Sequence, residues 1–240
     1  MDLFSYKLGK KAGGGGGDTG DYNAKFGEIS TSLDHGLTDV LTKIKKIDFK
    51  YTNMSAVFDN FIELTEVETI DCHNIVTNLS GAFYNCKKLT NVNIINTNSL
   101  TNVSIMFYNC QSLSVMPIFN TSQVTSTARM FHNCQSLTEA LLFDTSNVTD
   151  MSTMFSGCTK LEKVPIYNTQ SVTNFGSMFS YDLALTDESL YNILEMCINA
   201  TSYTSTKKLT TLGITNNAIK NRVYQLSNYQ DFLNAGWTIN

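Results

Sequence analysis

One side-chain pattern returns six times along this chain of 240 residues, and it constrains the fold more than any other feature. Phe58, Phe83, Phe107, Phe131, Phe155 and Phe179 are separated by 25, 24, 24, 24 and 24 residues. Thr52, Thr77, Thr101, Thr125, Thr149 and Thr173 keep the same steps, and so do Leu64, Leu89, Leu113, Leu137, Leu161 and Leu185. Cys86, Cys110, Cys134 and Cys158 stand on the same ladder, with Phe61 and Asp182 in the flanking slots. A fixed period of roughly 20–50 residues marks units that cannot bury their apolar face alone and must stack on one another.

Each unit reads as two elements. Leu161, Val164 and Ile166, or Leu89, Val92 and Ile94, give the LxxVxI spacing of a short leucine-rich-repeat strand, ended by Asp or Asn at 71, 96, 120, 144 and 168. Met151, Met154, Phe155 and Cys158 then fall at i, i+3, i+4 and i+7, one face of a helix. Thr149 precedes them where a helix N-cap hydroxyl is wanted. The expected fold is α/β, a leucine-rich-repeat solenoid of about six 24-residue coils, each a short strand plus a short helix.

A cysteine ladder of this kind could serve a metal site, a redox series or a disulfide framework. A zinc site needs four ligands converging on one point, and a ladder does not converge. Helices pack about 8–10 Å apart, whereas a disulfide needs Cα atoms within roughly 4.4–6.8 Å. The cysteines are therefore expected to be reduced, buried and packed as small apolar groups.

The ends differ from the middle. Residues 1–17, "MDLFSYKLGKKAGGGGG", read as a docking segment with Leu3, Phe4 and Leu8 on one face, followed by a flexible glycine tether. Residues 18–40 are a lead-in. The solenoid occupies 41–181, beginning where Leu41, Ile44, Ile47 and Asp48 repeat the frame of Leu64, Val67, Ile70 and Asp71. Residues 182–240 read as an α/β C-terminal cap hiding the open end of the core. Within it, a helix starts at Asp187 and buries Leu190, Ile193, Leu194, Cys197 and Ile198. "KKLTTLGI" reads as a strand, "TNNAIKNRVYQLSNY" as one helix, and Trp237 as cap core.

Composition narrows function by exclusion. Net charge is −4, without the basic stripe of a nucleic-acid binder. No apolar run approaches the roughly 20 residues of a membrane-spanning helix, and the N-terminus lacks the pattern of a signal peptide. There is no GxSxG, HExxH, P-loop or CxxC. The histidines at 35, 73 and 132 are scattered, and Cys72-His73 reads as an irregular turn rather than a nucleophile or metal pair. The six N-x-S/T sequons, at Asn53, Asn78, Asn102, Asn120, Asn147 and Asn199, arise mostly from the repeat itself. The expectation is no enzyme, no cofactor and no metal.

Two columns are candidate contact surfaces. Ile95, Phe119, Phe143 and Tyr167, flanked by Asn93, Pro117, Leu141 and Pro165, either point out of the strand row or roll inward at its end. Tyr84, Tyr108 and His132, each following a Phe of the ladder, form the second column.

The stretch "FDTSNVTDMSTMFSGCTKL" (143–161) resembles the repeat of BspA-like leucine-rich-repeat surface proteins, and the resemblance extends over roughly 41–181. The "MDLFSYKLGKK" start with its glycines and the "NYQDFLNAGWT" ending look like proteins encoded by phages and prophages of gut Firmicutes. These resemblances imply a phage virion surface protein displaying its repeats for adhesion to host cells, glycan or mucus. The alternatives are a purely structural capsid, neck or tail decoration, or a bacterial surface adhesin. The implied partners are other virion proteins through the N-terminal segment and a host surface protein or glycan. Nucleic acid and membrane insertion are not expected, and a homo-oligomer is compatible with the pattern. The implied location is the phage particle surface, or otherwise the bacterial cell surface.

Overall fold

The computed structural model describes residues 22–23, 42–48, 51–181 and 184–239. Leu3, Phe4, Leu8, the glycine tether and nearly all of the lead-in lie outside them. The fold is a mixed α/β arrangement around an open, parallel, four-stranded sheet in the order β1 (Tyr22–Asn23), β2 (Lys43–Asp48), β3 (Glu66–Asp71), β4 (Asn91–Ile95). Sequence neighbours are sheet neighbours throughout. The register of β2 on β3 pairs Ile44 with Val67, Ile47 with Ile70 and Asp48 with Asp71, the alignment that the apolar spacing predicts.

A second parallel ladder runs on the far side of the core. Single-residue bridges join Asn53 to Asn78, then Asn102, Ser126, Asp150 and Asn174. The segment after each bridge was expected to be a short helix and is instead a run of turns. Alternate peptide groups point along the stack. The N–H groups of Met54, Ala56, Phe58 and Asn60 donate to the carbonyls of Asn78, Ser80, Ala82 and Tyr84 at 2.8–2.9 Å. Those of Leu79, Gly81, Phe83 and Asn85 donate onward in the same way to the next unit. A helix would have kept these bonds internal. Two positive-φ slots per unit divert them: one at Ala56, Gly81, Ile105, Arg129, Thr153 and Ser177, the other at Asn60, Asn85, Asn109, Asn133, Gly157 and Tyr181. Asn tolerates this conformation; Ile and Thr are strained in it. Asn78, Asn102, Asp150 and Asn174 open these segments by accepting, through their side chains, the N–H two residues on, the cap position expected for the preceding Thr.

Between the ladders lies one continuous core. The rings of Phe58, Phe83, Phe107, Phe131, Phe155 and Phe179 stack at 5.1–6.0 Å between centroids, nearly parallel. All six cysteines are free and buried. The spacing argument for this state fails, because units joined by backbone hydrogen bonds sit about 5 Å apart, within disulfide range. The ladder cysteines point in parallel rather than at one another, and each thiol donates to a Phe carbonyl of a preceding unit. Cys86 bonds Phe58, Cys110 bonds Phe83, Cys134 bonds Phe107 and Cys158 bonds Phe131, at 3.0–3.2 Å. A thiol fits here because it fills a small apolar slot and still offers a donor.

The strand row ends at β4 for a local reason. The chain has two prolines, and both fall in this row, at 117 and 165. Proline has no N–H to give a ladder, and it restricts the residue before it. The unit between them keeps only a single-residue bridge, Glu139 to Lys163, and the Leu141 N–H turns to Met116 Sδ at 3.2 Å. The row also rolls by one residue. Ile70 and Ile94 are buried, whereas their equivalents Ile118, Leu142 and Ile166 are 80, 70 and 45% exposed. The inward expectation for Ile166 is therefore corrected.

The C-terminal part covers the last unit. Helix α1 (Asp187–Asn199) is capped by the Thr186 side chain and buries Leu190, Ile193, Leu194 and Cys197, as the spacing predicts, while Ile198 is half-buried. "KKLTTLGI" is not a strand. It forms a 3₁₀ turn over Leu209–Leu212, whose Thr211 and Leu212 carbonyls accept the last forward-pointing N–H groups, of Ser177 and Phe179, both at 2.7 Å. Gly213, at φ +88, lets this turn close: a Cβ there would lie 2.7 Å from the Ser180 backbone nitrogen. The single helix expected over 215–229 is two, α2 (Asn217–Val223) and α3 (Tyr229–Asn234). Trp237 is buried, stacked on Tyr203 at 5.2 Å and edge-on to Phe175 at 6.2 Å.

Candidate recognition surface

Because units repeat at one-strand spacing, any outward residue at a fixed slot becomes a column. The column after the buried Phe ladder holds Tyr84, Tyr108 and His132. Their rings stack at 4.8 Å and 9°, then 4.6 Å and 22°. All three are half-buried, so ring edges rather than faces meet solvent. Beside them runs an amide ladder: the Asn85 Nδ2 donates to Asn60 Oδ1 at 2.7 Å, and Asn109 Nδ2 to Asn85 Oδ1 at 2.5 Å. It is extended by Gln111 Nε2, donating to Asn109 Oδ1 at 2.9 Å. The ladder ends at Gly157, at φ +81, where a Cβ would lie 2.1 Å from Asn133 Oδ1. His132 was expected to face solvent; it is packed, and its Nδ1 is buried with no hydrogen-bond partner. Burial, and secondarily the Arg129 charge, hold its pKa below the ordinary value. A neutral imidazole at the end of two tyrosines is a continuation of the aromatic column.

The first column is divided. Ile95 is exposed, Phe119 and Phe143 are half-buried, and Tyr167 is fully buried, its hydroxyl donating to the Leu141 carbonyl at 2.9 Å. Tyr167 is therefore core, not surface, and the roll imposed by the prolines is the cause. The same roll exposes residues that the alternation had turned inward: Ile118, Leu142 and Ile166, with Val115 alongside at 66%. Pro117 and Pro165, one residue earlier, were the sequence signal for it.

The irregular Cys72-His73 pair sits at a turn. Burial, and then the Asp71 charge, push the Cys72 thiol up to about 12. Partial burial tends to raise Asp71, but the Asn96 amide, the His73 N–H and the His73 and Lys46 charges outweigh it, and the carboxyl lies below its usual range. Its Oδ1 accepts the His73 N–H at 2.9 Å and the Asn96 Nδ2 at 2.8 Å, which closes a turn. Among the described residues no three His, Cys, Asp or Glu side chains converge as metal ligands, and no helix is long and apolar enough to cross a membrane.

Fold and surface together define a repeat protein of stacked, parallel-bonded units carrying outward aromatic and aliphatic columns. The chain matches the family described as Mycoplasma protein of unknown function, DUF285, over residues 52–142 and again over 116–212. It belongs to that family. No curated protein and no solved structure matches it.

Proposed function

We propose that this chain is a non-enzymatic adhesion protein of the BspA-like leucine-rich-repeat kind, a solenoid of about six coils displayed on a phage particle, which binds host-cell or mucus glycan. The Tyr84–Tyr108–His132 column carries the reading. Aromatic edges spaced by one unit, beside the Asn60–Asn85–Asn109 amides, offer apolar contact and hydrogen bonding in register. That combination suits a polymer of polyhydroxylated rings, and its repetition suits a polymer better than a single small molecule. Family membership and the resemblance of 143–161 to surface-protein repeats support the same class. In this reading Leu3, Phe4 and Leu8 dock the chain on the particle and the glycines separate docking from recognition.

A glycan array probed with the full chain tests recognition. A defined set of oligosaccharides should bind, and Tyr84→Ala/Tyr108→Ala should lose them with the fold intact. Binding unchanged in that variant, or no glycan bound at all, overturns the proposal. Particle incorporation of a Leu3/Phe4/Leu8 triple Asp variant tests display separately, with lost incorporation and unchanged melting expected, and normal incorporation contradicting it.

A further inference from the structure

The aliphatic stripe of Val115, Ile118, Leu142 and Ile166 is a second surface with a different chemistry. From Ile118 to Ile166 it is continuous: Ile118 and Leu142 line one shallow groove, of about 180 Å³, and Leu142 and Ile166 line the next, of about 420 Å³. Charged groups rim both grooves: Asp144 lines the first, and Glu139, Lys163 and Glu188 line the second. Glu139 and Lys163, themselves 3.7 Å apart, stand at its border. Val115, Ile118, Leu142 and Ile166 are 66, 80, 70 and 45% exposed, so the stripe offers roughly 400 Å² of aliphatic surface, the size at which a patch marks an interaction site. Aliphatic side chains lack both the ring and the hydrogen-bond donors that a sugar requires, so this is a surface for protein.

In two slots the order of residues along the stack is the same read from either end, whereas the slot of Val115 continues with Glu139 and Lys163. The outward slot runs Ile118, Leu142, Ile166, and the slot before it runs Pro117, Leu141, Pro165. A two-fold axis perpendicular to the stack and passing at Leu142 therefore sets Ile118 of one copy on Ile166 of the other, and Leu142 on itself. Self-complementarity of this kind is what an isologous interface demands. We propose that the stripe is the contact between two copies of this chain, antiparallel, with Leu142 at the two-fold axis. Two such faces with their rims bury about 1,000 Å², the lower bound for a specific interface. The dimer is accordingly weak, with Kd on the order of 10 µM. Pairing presents two aromatic columns from one particle site and raises avidity for a polymeric ligand without a new contact to it. The pairing itself does not depend on the ligand being a glycan.

Sedimentation velocity of the full chain across a concentration series tests the proposal. A monomer–dimer equilibrium should appear in the micromolar range, and Leu142→Glu should shift it at least tenfold toward monomer while its melting curve stays that of the wild type. Tyr224→Glu, at an exposed residue of the cap, should leave it unchanged. Geometry is read by cross-linking, which is clean because the six native thiols are buried. Leu142→Cys should give covalent dimers alone under mild oxidation. Ile118→Cys and Ile166→Cys should give them chiefly when mixed. A wild type that stays monomeric at 100-fold above the expected Kd, a dimer indifferent to Leu142→Glu, or covalent dimers formed equally by all three single variants overturns the proposal. Monomer that still binds glycan leaves the adhesion reading standing; dimer without glycan binding leaves only this one.

Discussion

Truncating Phe131 to Ala removes a ring from the middle of the stack. The side chain is fully buried, 5.5 Å from Phe107 and 5.9 Å from Phe155, with planes 5° apart on both sides. Burial of the ring and the cavity left behind set the loss at about 3–5 kcal/mol. Two stacked neighbours, each worth about 0.5–1.5 kcal/mol beyond area, place it in the upper half of that range. The backbone bonds of Phe131, from its N–H to Met154 and to its carbonyl from Cys158, survive the change, so the perturbation reports packing alone. Against a total stability of about 5–15 kcal/mol the effect is large. Urea unfolding should show a much lower midpoint with the slope preserved. Phe131→Leu keeps most of the apolar burial but loses both stacks, so it should cost about 1–3 kcal/mol, less than the Ala variant. His132→Ala, one residue on, loses one partial stack and removes an unpartnered buried nitrogen, so it should stay within about 1 kcal/mol. A loss under about 2 kcal/mol for Phe131→Ala, or equal losses at 131 and 132, would refute the inside–outside assignment.

Four shorter tests follow from other features. Gly213→Ala should destabilise by more than about 3 kcal/mol in thermal melts, since about 1–2 kcal/mol of left-handed strain adds to a clash with the Ser180 backbone. Thr153→Asn, at φ 57, should stabilise by about 0.5–1 kcal/mol, and a destabilised variant would mean the positive-φ slot is misread. His132 has a folded pKa below its ordinary 6.5, so the folded state binds the proton less well than the unfolded one; stability should be full above about pH 6.5 and decline as pH falls through it. His132→Phe should flatten that segment of the pH–stability curve, while leaving the steeper loss near and below 3.8 that arises from Asp71 and Asp144, both lowered in the fold. A thiol label should leave Cys86, Cys110, Cys134 and Cys158 unreacted in the native protein and modify all four once it is denatured without reductant; recovery of any pair as a disulfide contradicts the thiol–carbonyl bonds.

Much of the architecture was legible because it is periodic. The Leu41/Ile44/Ile47/Asp48 match to the next unit fixed the β2–β3 register to the residue, since a strand slipped by one would turn Ile44 and Ile47 to water. Apolar spacing also located α1 and placed Trp237 in the cap. The same spacing misled on Met151, Met154, Phe155 and Cys158. An i, i+3, i+4, i+7 pattern records which residues face inward, and a run of stacked turns with alternating left-handed residues meets it as well as a helix does. The Asn and Gly at 85, 109, 133 and 157 were the available hint, as those residues tolerate positive φ. Tyr167 takes the inward of the two orientations the sequence left open, whereas the exposed stripe was misjudged because alternation was carried across Pro117 and Pro165, where the regular strand ladder had ended. "KKLTTLGI" looked like a strand because its Leu209, Leu212 and Ile214 are buried; what the fold takes from it are two carbonyls, and sequence does not announce those.

In the proposed function, outward columns at one-unit spacing form the recognition surface. Titration calorimetry of the full chain with a size series of one bound oligosaccharide tests it most directly. Three rings at 4.8 and 4.6 Å spacing predict that affinity rises with each added sugar until the column is spanned and then levels, and that Tyr108→Ala, at its middle, abolishes the rise. Affinity independent of oligosaccharide length, or a length dependence untouched by Tyr108→Ala, would contradict it.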